Sequence, residues 1–145
     1  MGVGINETSK LVGNAVTASV AGRMIGQEKN EALLQGSKAH EENIVDKAEA
    51  KDLVETQIPD AEGLADLADD NYVVMKKSAD ATFNDPKATP EQRLKAAADE
   101  QQALDDRTAA QRALSELKTK LEATQERLAR QEKAMARGRK WGGAY

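Results

Sequence analysis

The side chains able to do chemistry are few, and their spacing gives them little to work with. There is one histidine, His40, and no cysteine. With no thiolate and no second imidazole near it, His40 lacks the partners of a usual metal site and reads as an exposed helix residue. No serine has a base other than His40 to activate it, and no thiol is present to act as nucleophile. The 25 Asp and Glu residues fall on polar helical stretches open to water, whereas acid–base catalysis uses carboxyls held in a cleft. Gly2-Val3-Gly4 is the one trace of a phosphate loop, and it lacks the strand–turn–helix setting and the remaining glycines. The expectation is a protein that is not an enzyme and uses no cofactor or metal.

The elements that would position any other function are helices. Thr89-Pro90-Glu91-Gln92 carries a helix-start signature: a capping threonine, proline at the first helical position, and a glutamine three residues on that can reach back. From there to Gly138 neither proline nor glycine intervenes, and Ala, Leu, Gln, Glu, Lys and Arg predominate, all good helix formers. About 48 residues of helix would span roughly 72 Å at 1.5 Å per residue. Leu114, Leu117, Leu121, Thr124, Leu128, Gln131 and Met135 follow one another at spacings of three and four. Such a seam requires a partner helix, either from the same chain, antiparallel, or from another copy or protein. Upstream the stripe continues through Leu94, Ala97, Gln101, Leu104, Thr108 and Gln111, with its register disturbed near residue 111. The oligomer seam is therefore expected at Leu114, Leu117, Leu121, Leu128 and Met135.

Composition agrees with long helices and a thin core. Aromatic residues make up 3 % and charged residues 32 % of the 145, and alanine buries little apolar area. The fold expected is all-α, with about three long helices and a coiled-coil-like C-terminal one. The chain divides into a small-residue segment and polar helix at 1–57, a middle helix and loop at 58–88, the long helix at 89–138, and a basic aromatic tail at 139–145. Net charge is +1 over residues 1–40, −11 over 41–106 and +6 over 107–145. An acidic middle and a basic end invite contact between copies, and a basic end can also meet DNA without sequence preference, anionic lipid or an acidic protein.

Residues 11–26 read LVGNAVTASVAGRMIG, with small residues stacked at four-residue intervals. Gly13, Thr17 and Ala21 lie on one line, and Ala18, Gly22 and Gly26 on another, a spacing that lets helix backbones approach closely. The segment is too short and too polar for a conventional membrane span or secretory signal. Its readings are close packing inside an assembly, or insertion into a bilayer as part of an oligomer, or a flexible arm. Further on, Gly36-Ser37 is expected to bend the polar helix, and Ile58-Pro59-Asp60 to break it. Leu64, Leu67, Ala68, Val74 and Met75, with Tyr72 and Val73, are expected to form the packing face of the middle helix. Phe83 should plug the corner before the loop at 84–90, and Gly138 should cap the last helix. Beyond it, Trp141 and Tyr145 read as a docking tail that fills pockets on a partner, oriented by Arg137, Arg139 and Lys140. An unstructured tail, or one that meets phosphates or lipid headgroups, is the other reading.

The run LVGNAVTASVAGRMIGQEKNEA, leading into a polar Ala/Gln/Lys/Glu helix, resembles the openings of small internal virion proteins of short-tailed bacteriophages. The Trp141-Gly-Gly-Ala-Tyr145 end is likewise at home among virion proteins. The resemblance implies an oligomeric helical tube or collar subunit, ejected with the genome and assembling across the host envelope. It implies portal, tail and other ejection proteins as partners, contact with the host membrane, and residence in the virion after synthesis in the host cytoplasm. Two alternatives stand beside it. A capsid scaffolding protein is also acidic and helical with a basic C-terminal end. A cellular coiled-coil or membrane-surface adaptor would show wide apolar faces.

Overall fold

The computed structural model describes residues 2–145, with side chains described from residue 23 onward. Helix α1 spans Gly2–Asp52, a single π-helical turn covers Leu53–Gln57, α2 runs Ile58–Asn84 and α3 runs Pro90–Lys140. The fold is all-α, with 92 % of residues helical.

The start of α3 is built as its sequence dictates. The Gln92 amide donates to Thr89 Oγ1 at 3.1 Å, and the Thr89 amide donates to Gln92 Oε1 at 2.9 Å. Two orphan donors at the helix start are satisfied by this exchange. Asp85 ends α2 in an extended conformation, φ −85° and ψ 115°, as the residue before Pro86 must. Its carboxylate accepts from the Lys87 amide at 2.9 Å, and its carbonyl accepts from Arg93 Nη2 at 3.1 Å. The corner is thus held by polar contacts. Phe83, expected to plug it, is 46 % exposed.

Ile58-Pro59-Asp60 does not break the chain. The Ile58 amide bonds to the Leu53 carbonyl, five residues back, and Pro59 sits in the first turn of α2. Proline has no N–H to give and its ring crowds the preceding turn. Widening that turn relieves the conflict without ending the helix. The turn also resets the covered face. Ala39, Asn43, Asp46, Ala50 and Leu53 are at least half-buried at spacings of three and four. The series resumes at Ile58 and continues through Ala61, Ala65, Ala68, Tyr72, Met75, Ala79 and Thr82. One extra residue in the π turn absorbs the offset between the two series.

On α3 the covered line is unbroken from Arg93 through Ala96, Glu100, Ala103, Arg107 and Ala110 to Leu114, then Leu117, Leu121, Thr124, Leu128, Gln131, Met135 and Gly138. No disturbance occurs near residue 111. The upstream stripe lies one position earlier than hydrophobicity suggests: Leu94 is exposed, and Ala96 and Ala103 are covered in its place. Small alanines let backbones come close, and the Arg93 and Arg107 stems cover apolar surface, with their Nε atoms buried.

The chain forms two compact units, one of Met1–Asp46 with Arg127–Tyr145, the other of Lys47–Glu126. In the second, α2 and α3 run antiparallel. Arg107 Nε pairs with Asp69 Oδ1 at 2.7 Å and its guanidinium lies 5.2 Å from the Tyr72 ring centroid, while Lys120 Nζ meets Glu49 Oε1 at 3.1 Å. Leu53 and Thr124 are fully buried, alongside Ile58, Ala65, Ala79 and Ala103. In the first unit, α1 and the end of α3 also run antiparallel, with Ala32, Ala39 and Met135 buried.

The packing face of α2 matches the expected one only in part. Leu64 and Leu67 are 64 % and 67 % exposed, and Val73 and Val74 also face out, while Ala65 and Ala79 are buried. Of the expected face, Ala68, Tyr72 and Met75 are half-buried, so the covered line keeps these and takes Ala65 and Ala79 in place of Leu64, Leu67 and Val74.

Candidate functional site

The most elaborated local structure lies where α1 meets the end of α3. α3 does not end at Gly138 but continues to Lys140. There the Gly143 amide donates to the Gly138 carbonyl and the Gly142 amide to the Arg139 carbonyl, both at 3.0 Å. Gly142 has φ +97°. This paired closure with a left-handed residue is the Schellman ending, and Gly142, not Gly138, supplies the left-handed conformation.

The turn sends the tail back along the helices. Tyr145 Oη donates to the Leu33 carbonyl at 3.1 Å, and its ring stacks on His40 with centroids 5.8 Å apart and planes at 28°. Arg139 Nη1 donates to the Tyr145 carbonyl at 3.1 Å and Arg139 pairs with Glu132 at 3.8 Å. The ring lies against Gly36 of α1 and Gly138 of α3, where an added Cβ would collide with it. Gly36 therefore does not bend α1; its bare backbone forms one wall of a slot. His40, expected to be exposed, is half-buried beside the ring.

One helical turn away lies a buried polar layer. Asn43 Nδ2 donates to Gln131 Oε1 at 3.1 Å, Gln131 Nε2 donates to Asp46 Oδ2 at 2.5 Å, and Arg127 Nε approaches the same oxygen at 3.5 Å. Asn43 and Gln131 are buried. Paired this way, each amide avoids the penalty of an unsatisfied buried polar group.

The structure treats the sequence-derived residues unequally. Of the docking tail, Tyr145 is tucked into the slot, Arg139 is engaged with it, Trp141 is 38 % exposed, and Arg137 and Lys140 are exposed. Of the seam, Met135 is buried and Leu114, Leu117, Leu121 and Leu128 are half-buried within the single chain. Gly26 has nothing within 4 Å of a Cβ position. The expectations at Gly13, Ala18, Ala21 and Gly22 lie outside the residues whose side chains are described. Sequence reasoning missed Leu33, Gly36, His40 and Gly138 as walls of the slot, and Asn43, Asp46 and Gln131 as a polar layer. No sequence signal marked the slot, since helical Gly26 and Gly63 have open space where a Cβ would sit.

Among the described residues, no group of three or more His, Cys, Asp or Glu side chains is placed to hold a metal ion, and no helix is long and apolar enough to cross a membrane. A groove of about 300 Å³ on the first unit is lined by Lys38, Glu42, Arg127 and Arg130 among others, three cations to one anion. No protein-family model matches the chain, and comparison with curated proteins and with solved structures gave no match.

Proposed function

We propose that this chain is a non-enzymatic structural protein that works by assembling with copies of itself and with other proteins. The observation that carries this reading is the distribution of its apolar side chains. Ile44, Val45, Val54, Leu64, Leu67, Val73, Val74 and Leu94 are exposed, whereas the buried apolar set is mostly alanine. Leu64, Leu67 and Val74 fall at helical spacing on one exposed face of α2, and a contiguous apolar strip at a surface is a mark of a protein contact. In this reading α3 is coiled-coil-like, its seam serves the chain's own pairing, and the outward leucines and valines meet the neighbours.

The resemblance of the N-terminal run gives the assembly its setting: a virion protein ejected with the phage genome that forms part of a helical tube across the host envelope. Portal, tail and other ejection proteins are then its partners. Capsid scaffolding is the second reading, favoured by the exposed Arg137, Lys140 and Trp141 at the basic end. The discriminating experiment is light scattering of the purified chain with and without anionic liposomes. A discrete ring-sized oligomer that partitions onto liposomes and makes them leak supports the conduit. A soluble small oligomer that ignores lipid moves the reading to scaffolding. A monomer at every concentration, inert to lipid, overturns the assembly reading.

A further inference from the structure

We infer that the segment after α3 is an intramolecular latch, in which Tyr145 fills a tyrosine socket formed by Gly36, Gly138, Leu33 and His40. The inference is independent of the assembly reading above.

It begins with two glycines that helix formation does not explain. Gly36 and Gly138 are both helical, and neither has a positive φ, which among the described glycines belongs to Gly142. Glycine inside a helix is less favourable than alanine, because it loses more backbone freedom on folding. Gly26 and Gly63 also lie in helices, and both have open space where a Cβ would sit. At Gly36 and Gly138 a Cβ would strike the Tyr145 ring. The ring therefore accounts for glycine at these two positions.

The other walls of the socket are chemically matched to a phenol. The Leu33 carbonyl lies inside α1, where its second lone pair is free for the Tyr145 hydroxyl, and the bond measures 3.1 Å. The imidazole of His40 offers a flat face to the ring. Arg139 holds the tail backbone from the other side. The Gly142–Gly143 turn aims the chain at the socket.

The consequence is a competition. Tyr145 is withheld from any partner while the socket is filled, and Trp141, Arg137 and Lys140 remain at the surface. A partner that uses the tyrosine must first open the latch. Such a partner gains contact with the whole tail only after that opening.

The test uses the full chain. In the wild type, the ring current of Tyr145 should displace the Hα resonances of Gly36 and Gly138, and trypsin should cut slowly after Arg139 and Lys140. Tyr145→Ala should return both glycine resonances to ordinary helical values and speed those cuts several-fold. Tyr145→Phe, which keeps the ring and loses the hydroxyl, should fall between. Gly36→Ala is the decisive variant: it improves helix propensity, so the helix stays folded by circular dichroism, yet it should release the tail as Tyr145→Ala does. Gly26→Ala, at a position with open space, should leave the tail as protected as in the wild type. The latch is overturned if Gly36→Ala keeps the tail protected, or if Tyr145→Ala leaves the Gly36 and Gly138 resonances in place.

Discussion

Asn43 and Gln131, 88 positions apart in the chain, are joined by a buried side-chain hydrogen bond of 3.1 Å. Such a pair aligns two helices in one register, since sliding either by a turn strands both amides. Asn43→Ala leaves Gln131 Oε1 buried without its donor and should cost about 1–3 kcal/mol in urea unfolding. Replacing both by leucine strands neither amide and takes one donor from Asp46, which keeps Arg127, so it should cost less than Asn43→Ala, at the expense of a unique pairing. A wild-type urea midpoint in Asn43→Ala would show that the layer contributes nothing.

The two sets of leucines should separate by experiment. Leu117 and Leu121 are half-buried within the chain, so Leu117→Asp with Leu121→Asp should lower helix content and thermal stability, by about 1–2 kcal/mol or more per site. Leu64 and Leu67 face outward. Leu64→Asp with Leu67→Asp should leave circular dichroism unchanged and reduce the mass found by light scattering. If the outer pair unfolds the chain and the inner pair only lowers its mass, the assignment of the two faces is reversed.

The π turn yields a prediction about length. Because it absorbs a one-residue offset, deleting the exposed Glu55 together with Pro59→Ala should let the helix run through as α while both covered faces stay in phase. Thermal stability should then hold or rise, since Pro59 no longer crowds the turn before it. Deleting the exposed Asp70 instead rotates everything beyond it by about 100° and should abolish cooperative unfolding of α2. Equal damage from both deletions would remove the π turn from the account of register.

Thr89 and Gln92 satisfy each other's backbone amides. Thr89→Ala should destabilise the start of α3 by about 1 kcal/mol, visible as faster amide exchange at Gln92 and Arg93. Unchanged exchange there would mean the cap is not formed in solution.

The exposed Arg130, Lys133, Arg137 and Lys140 make a basic strip, which tests the expectation from charge that this end meets DNA. Binding to duplex DNA should be sequence-independent and weaken with salt, and each of these residues changed to glutamine should reduce the slope of log K against log salt by about 0.9 if it meets a phosphate. No binding at low salt removes DNA from the list of partners.

What the sequence determined by itself was local. The all-helical class follows from residues with good helix propensity and few breakers, the start of α3 from the Thr89–Gln92 spacing, and the corner from Asp85-Pro86. The strip Leu114 to Met135 was legible because leucine at spacings of three and four marks a covered face wherever the partner lies. The tertiary structure decided which residues of α2 turn inward: it kept Ala68, Tyr72 and Met75 and took Ala65 and Ala79 over Leu64 and Leu67, because apolar size alone does not fix which side of a helix meets its neighbour. It also decided that Pro59 widens a turn instead of ending a helix, since the covered faces on either side differ by one residue. The socket needed both ends of the chain: Tyr145 meets Leu33 across 112 positions. Helical periodicity carries no information about a contact at that distance, so Gly36 looked like a bend and His40 like a surface residue until α3 brought the tyrosine to them.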